Sequence, residues 1–222
     1  MAMNYNEIPR RNQDLLTQAI ERYKGEPFNP ELVTNYWRAK LQADGVKVGI
    51  DIVVPDCDWT EEEIRRPMVD IKGNAIGGMM VPVLGEITLP LLGKMYPKIA
   101  GYSVREDTPI KDTHKTSGYV KVEATIDAPN RNTRPKELED FAKKQGYLGQ
   151  REITYILASQ ASKNLIDQYF DQGETWSRLL GSRSGGYPPD ARFNPDGDLV
   201  VGWHLGPQDP HLHLGARFEE VK

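Results

Sequence analysis

The spacing of apolar residues changes period along this chain, and that change constrains the fold more than any other feature. Leu15, Leu16, Ala19, Ile20 and Tyr23 recur at helical spacing, as do Leu32, Val33, Tyr36, Trp37 and Leu41. Each set draws one apolar stripe along a helix of 3.6 residues per turn. The period then falls to two: Val46, Val48, Ile50, Ile52 and Val54 alternate with Lys47, Gly49 and Asp51, the pattern of a half-buried strand. Period two returns at Val120, Val122, Ala124 and Ile126, with Lys121, Glu123, Thr125 and Asp127 on the other face. Between these strands and the C-terminus, Ile153, Ile156, Leu157, Leu165, Tyr169 and Phe170 restore the helical period. Helices and isolated strands thus follow one another without the regular alternation of a βαβ wind. The expectation is an α+β fold: helices packed on a mixed or antiparallel sheet, ending in a C-terminal antiparallel β-meander.

Local signals bound the elements. Asn29 caps a helix whose first position is Pro30, and Gly45 ends it. Thr60 and Glu63 have the spacing of a capping box ahead of Pro67. Residues 68–71 read as a strand that turns at Lys72-Gly73-Asn74 into 79–84, and 89–96 as a helical turn. Pro135 opens a helix that Gly146 closes, and the longest helix is predicted over 150–172. Thr175 is read as the cap of one more short helix, ended by Gly181. The turn Asn194-Pro195-Asp196-Gly197 precedes a strand at 199–205, which turns through 206–210 into a last strand at 211–218. The polar stretch 105–117 is a surface loop. The chain is expected to form one domain, 1–222, with that loop as a sub-boundary.

The 222 residues are 38% hydrophobic and 27% charged, which is enough to bury a real core. A net charge of -4 gives no general attraction for nucleic acid or acidic membranes. The most apolar region, 75–101, is interrupted by Pro82, Glu86, Pro90 and Lys94, whereas a membrane helix needs about 20 apolar residues in a row. Residues 1–13 are polar, with Arg10 and Arg11 and no apolar stretch behind them, unlike a secretory signal. The single cysteine, Cys57, excludes an internal disulfide framework. It lies between Asp56 and Asp58, whose charge disfavours a thiolate, so a structural role is expected. These features point to a cytoplasmic protein.

Two clusters carry candidate chemistry. In the terminal hairpin, pairing the apolar face of 199–205 with that of 211–218 sets His204 opposite His213 or His211, with Asp209 in the turn between. His204, His211 and His213 would then share one polar face, where imidazoles from adjacent strands can hold zinc. The second cluster is Asp56, after Pro55, with Asp70 and Lys72 fourteen and sixteen residues on. It has the outline of the restriction-type nuclease pattern, in which two carboxylates hold Mg²⁺ and a lysine activates water. An acid-x-lysine triplet also recurs at Glu220-Val221-Lys222.

The run 181–186, with Arg178 and Arg183 near it, follows a helix rather than opening one, so it reads as a linker and not a phosphate cradle. There is no Walker A sequence and no Gly-x-Gly-x-x-Gly fingerprint. No segment combines a nucleophile, a base and an orienting group. The leading expectation is therefore a binding or interaction module with a protein or small-molecule partner. The alternative is a divalent-metal hydrolase using zinc at the histidines or Mg²⁺ at Asp56, Asp70 and Lys72.

Overall fold

The computed structural model describes residues 7–99, 101–202 and 210–222. The fold is α+β, and the chain divides into two compact units, Met1–Arg65 and Arg66–Lys222. The 105–117 loop lies within the second unit.

The first unit is helical. Helix α1 spans Glu7–Gly25 and α2 spans Pro30–Val46. Asn29 caps α2 as its sequence implies: its Oδ1 accepts from the Leu32 amide at 2.9 Å. Tyr23 packs edge-on against Phe28 and leans on Tyr36, with ring centroids 4.9 and 4.7 Å away. The expected strand at 46–54 does not form. Helix α2 runs on to Val46, and the chain doubles back so closely that the Ile50 amide donates to Gly45 O at 3.0 Å. A Cβ at position 45 would lie 2.5 Å from Ile50 O, which is why glycine stands there. Beyond this turn the alternation survives without a ladder: Ile52 and Val54 are buried while Val53 is 73% exposed. Helix α3, Glu61–Arg65, closes the unit with the predicted capping box. Its Thr60 amide donates to Glu63 Oε2 at 2.8 Å, and the Glu63 amide donates to Thr60 Oγ1 at 3.2 Å.

The second unit holds the sheets. A short hairpin pairs β1 (Met68–Val69) with β2 (Ala75–Ile76). Strand β3 (Gly78–Val83) leads to α4 (Leu89–Met95) and to β4 (Lys111–Asp112). Then come β5 (Gly118–Glu123), α5 (Pro135–Gln145), β6 (Tyr147–Gly149) and α6 (Glu152–Ile166). The remaining strands are β7 (Trp176–Arg178), β8 (Ser182–Arg183), β9 (Asp190–Phe193), β10 (Leu199–Gly202), β11 (Leu214–Ala216) and β12 (Phe218–Glu220). One four-stranded sheet has the order β3-β5-β12-β6, another β10-β9-β7-β11, and β4 pairs with β8. Met68, Leu138, Ala142, Leu180, Ala216 and Phe218 form a buried apolar cluster, with Ile71, Ile76, Phe141 and Tyr147 packed against it.

Three expectations are corrected here. Helix α6 stops at Ile166, where Asp167 takes a left-handed conformation (φ 60°) and breaks the helical ladder before Tyr169 and Phe170. Thr175 caps no helix. Its hydroxyl donates to Asp171 and accepts from the Ala128 amide, and the next residues form β7. The strands at 199–202 and 214–216 are not partners: β10 turns back on β9 and β11 runs parallel to β7, so they occupy opposite edges of one sheet. The turn at 194–197 decides this, because it sends the chain back antiparallel along β9 and fills that strand's free side.

Candidate functional site

A charged cluster is buried in the sheet β3-β5-β12-β6. Glu219 of β12 lies opposite Val122 of β5 and Leu148 of β6, and it is fully buried. A carboxylate taken out of water needs donors on both oxygens. Glu219 faces three: Arg151 Nε at 2.7 Å, His114 Nε2 at 2.5 Å and Thr154 Oγ1 at 3.0 Å, the last sharing its single proton with Arg151 O, also at 3.0 Å. Since a carboxylate only accepts, His114 carries its proton on Nε2, and its Nδ1 faces the Thr113 hydroxyl at 3.1 Å. Arg151, with 3% of its side chain exposed, also donates through Nη2 to Thr116 Oγ1 at 2.6 Å.

The backbone places these groups. Arg151 is the residue that precedes the first turn of α6, and Thr154 is in that turn. The Glu152 amide is capped from outside the helix by Ser182 Oγ at 2.9 Å, and that hydroxyl lies 3.1 Å from Asp112 Oδ1. His114 is held where the Thr113 amide donates to Gly181 O at 2.8 Å. Gly181 is required there, because a Cβ would collide with the carbonyl of Gly149. Two acids near the cluster are shifted. Burial raises Asp112 against the opposing pull of Arg151 and Ser182. Burial also pushes Glu152 up to about 8, with Ser103 opposing and Asp112 adding to the shift.

Beside the cluster is a cavity of about 330 Å³. One wall is apolar, with Pro82, Val83, Leu84, Ile87, Ile153 and Leu157. The other is polar, with Asp112, His114, Lys115, Thr116 and Arg151. A second concavity, about 270 Å³, lies on the first unit between α1 and α2 and includes Arg22 and Arg38. There Arg22 is held by Glu26, and Arg38 by Asp56 and Val54 O, so neither leaves a buried charge facing the space.

The residues singled out from sequence lie elsewhere. Asp56 is in the first unit, 87% exposed and paired with Arg38 at 3.1 Å. Asp70 and Lys72 are together in the β1–β2 turn of the second unit. Asp70 accepts from the Lys72 and Asn74 amides and from Asn74 Nδ2 at 2.8–2.9 Å. Slight burial works to raise its pKa, but these hydrogen bonds outweigh it and hold the carboxyl below its usual value. Cys57 is buried, as expected. His211 and His213 are exposed, with ring centroids 5.7 Å apart, and His213 Nδ1 is 3.9 Å from Glu174. His204 and Asp209 lie outside the described residues. Among the described residues, no three His, Cys, Asp or Glu side chains are grouped to hold a metal ion, and no helix is long and apolar enough to cross a membrane.

Sequence reasoning did not single out His114 or Glu219 and did not connect Arg151 with either. The one legible trace was the polar start of an apolar helix, Gln150-Arg151-Glu152-Ile153-Thr154. No family model matches this chain, and neither a curated protein nor a solved structure does.

Proposed function

We propose that the second unit is a small-ligand-binding domain whose site is the cavity between β3 and the start of α6. The observation that carries this reading is the pairing of that cavity with the buried Arg151–Glu219–His114 cluster. Ligand sites are characteristically concave, mostly apolar and provided with a few fixed polar groups, in volumes of about 300–1,000 Å³. Here the apolar wall supplies contact area, and Glu219 holds the arginine and imidazole in place before any ligand arrives. Such preorganisation reduces the ordering cost of binding.

The test is a fragment screen by amide NMR on the full chain, run beside Leu84→Trp. Leu84 is half-buried on the cavity wall, so an indole there fills the space while most of the core is untouched. Fragments should shift the amides of residues 113–116 and 153 in the native chain and lose that effect in Leu84→Trp. A screen in which no fragment perturbs these amides, or in which the variant responds equally, removes the reading.

A further inference from the structure

Resting on that reading, we infer that the ligand is a small carboxylic acid with an apolar body, its carboxylate received by Arg151 and the first turn of α6. Arg151 spends Nε on Glu219 and Nη2 on Thr116, and its Nη1 has no acceptor among the described residues. A guanidinium stays charged under all ordinary conditions, and a buried one with an open donor edge calls for an oxygen. Arg151 is one of the residues that line the cavity.

The start of α6 reinforces the same demand. The helix is 15 residues long, so its aligned peptide dipoles place positive potential at this end. Ser182 satisfies the Glu152 amide, but the Ile153 and Thr154 amides have no acceptor among the described residues. Arg151, in the capping position, offers no side-chain acceptor, and the Thr154 hydroxyl is shared between Glu219 and Arg151 O. Ile153 lines the cavity beside Arg151.

Charge at the rim agrees. Glu219 is already compensated by Arg151, and Asp112, the carboxylate on the wall, is held by the Ser182 hydroxyl with Arg151 and His114 acting on its charge. What remains unmatched is the open guanidinium edge and the helix end, and both favour an anion. The opposite wall, with Val83, Leu84, Ile87 and Leu157, takes an apolar chain or ring. At the about 30 Å³ that a water occupies in the liquid, about 330 Å³ holds roughly ten atom-sized groups, the size of octanoate.

The experiment titrates the full chain with octanoate, octanamide and octylamine, which share one tail and differ in the head group. Octanoate should bind about tenfold more tightly than octanamide, as a charge-assisted contact to arginine implies, and octylamine should bind least. Arg151→Lys should reduce the acid-over-amide preference, but it sits in a buried pair and can fail to fold. Lys115→Gln is the second arm: Lys115 is exposed, so the fold should persist while octanoate weakens about two- to threefold and octanamide is unchanged. If octanoate and octanamide bind this cavity equally, or octylamine binds best, the acid inference falls and the pocket stands. If none of the three perturbs the cavity amides, both fall.

Discussion

Arg217 and Arg151 are both buried in the second unit, yet their surroundings differ in one decisive respect. Every nitrogen of Arg217 is engaged. Nε meets Ser177 Oγ at 2.8 Å and Asp171 Oδ2 at 3.4 Å. Nη1 meets Glu123 O and Thr125 Oγ1, and Nη2 meets Ile126 O and Asp171 Oδ1, all at 3.1–3.3 Å. Its plane also lies over the Phe170 ring, 4.4 Å from the centroid. Asp171, itself in a left-handed conformation (φ 54°), accepts in addition from Tyr155, Thr175 and Ser177. That network is closed, with no donor left for a ligand. Arg151 has a carboxylate of its own, but it keeps one edge open and sits against a cavity. Counting donors against acceptors separates a buried charge that only ties strands together from one that keeps a donor edge without an acceptor among the described residues.

The comparison breaks most visibly on removal of each arginine. Arg217→Met should destabilise the native state by about 5 kcal/mol or prevent folding, because it removes every hydrogen bond the guanidinium makes and leaves the Asp171 carboxylate buried without its cation. Chemical denaturation measures this. Arg151→Met should cost about 3 kcal/mol, because fewer hydrogen bonds are lost and Glu219 keeps His114 and Thr154 as donors. Equal losses in the two variants would show that the open edge has no energetic meaning.

A pH series sharpens the contrast from the acid side. Glu123, beside Arg217, is pushed up to about 8 by burial, against the Phe218 amide, Arg217 and Asn130. Glu152, beside Arg151, reaches about 8 as well. The native chain therefore holds both protons where the unfolded chain has released them. That stability is fully present below about pH 4.5 and is lost as pH rises toward 8. Glu152→Gln, which cannot ionise, should gain on the native chain between pH 5 and 8 by an amount on the order of a few kcal/mol, read from parallel melts. A difference that does not change with pH would contradict the assignment. The smallest effect belongs to the surface turn. Asp70→Ala should cost about 1 kcal/mol by releasing the Lys72 and Asn74 amides, with no change in fragment binding at the β3–α6 cavity.

The readings that succeeded were those whose bonds close within a few residues. The Asn29 cap, the Thr60–Glu63 box, the left-handed Gly146 after α5 and the 194–197 turn are all present. The readings that failed depended on partners far away in sequence. Period two is real in the burial of 51–54 only, and the segment 46–54 pairs with no strand among the described residues. Lys121 and Glu123 read as the solvent face of a strand. They are fully buried because β5 is an interior strand, between β3 and β12, and both of its faces are covered.

The candidate site was hidden for the same reason. Histidine spacing drew attention to the three near the C-terminus, where two can be compared only with each other, and away from His114, alone in a polar loop. His114 meets Glu219 across 105 residues and Arg151 meets it across 68. By itself the sequence determined the caps, the turns, most helices and the α+β class, because backbone dihedral preferences and short-range hydrogen bonds act whatever the rest of the chain does. Only the tertiary structure decided which strands pair, which charges leave water and which arginine keeps an open edge, because those outcomes depend on what neighbouring elements bring against each side chain.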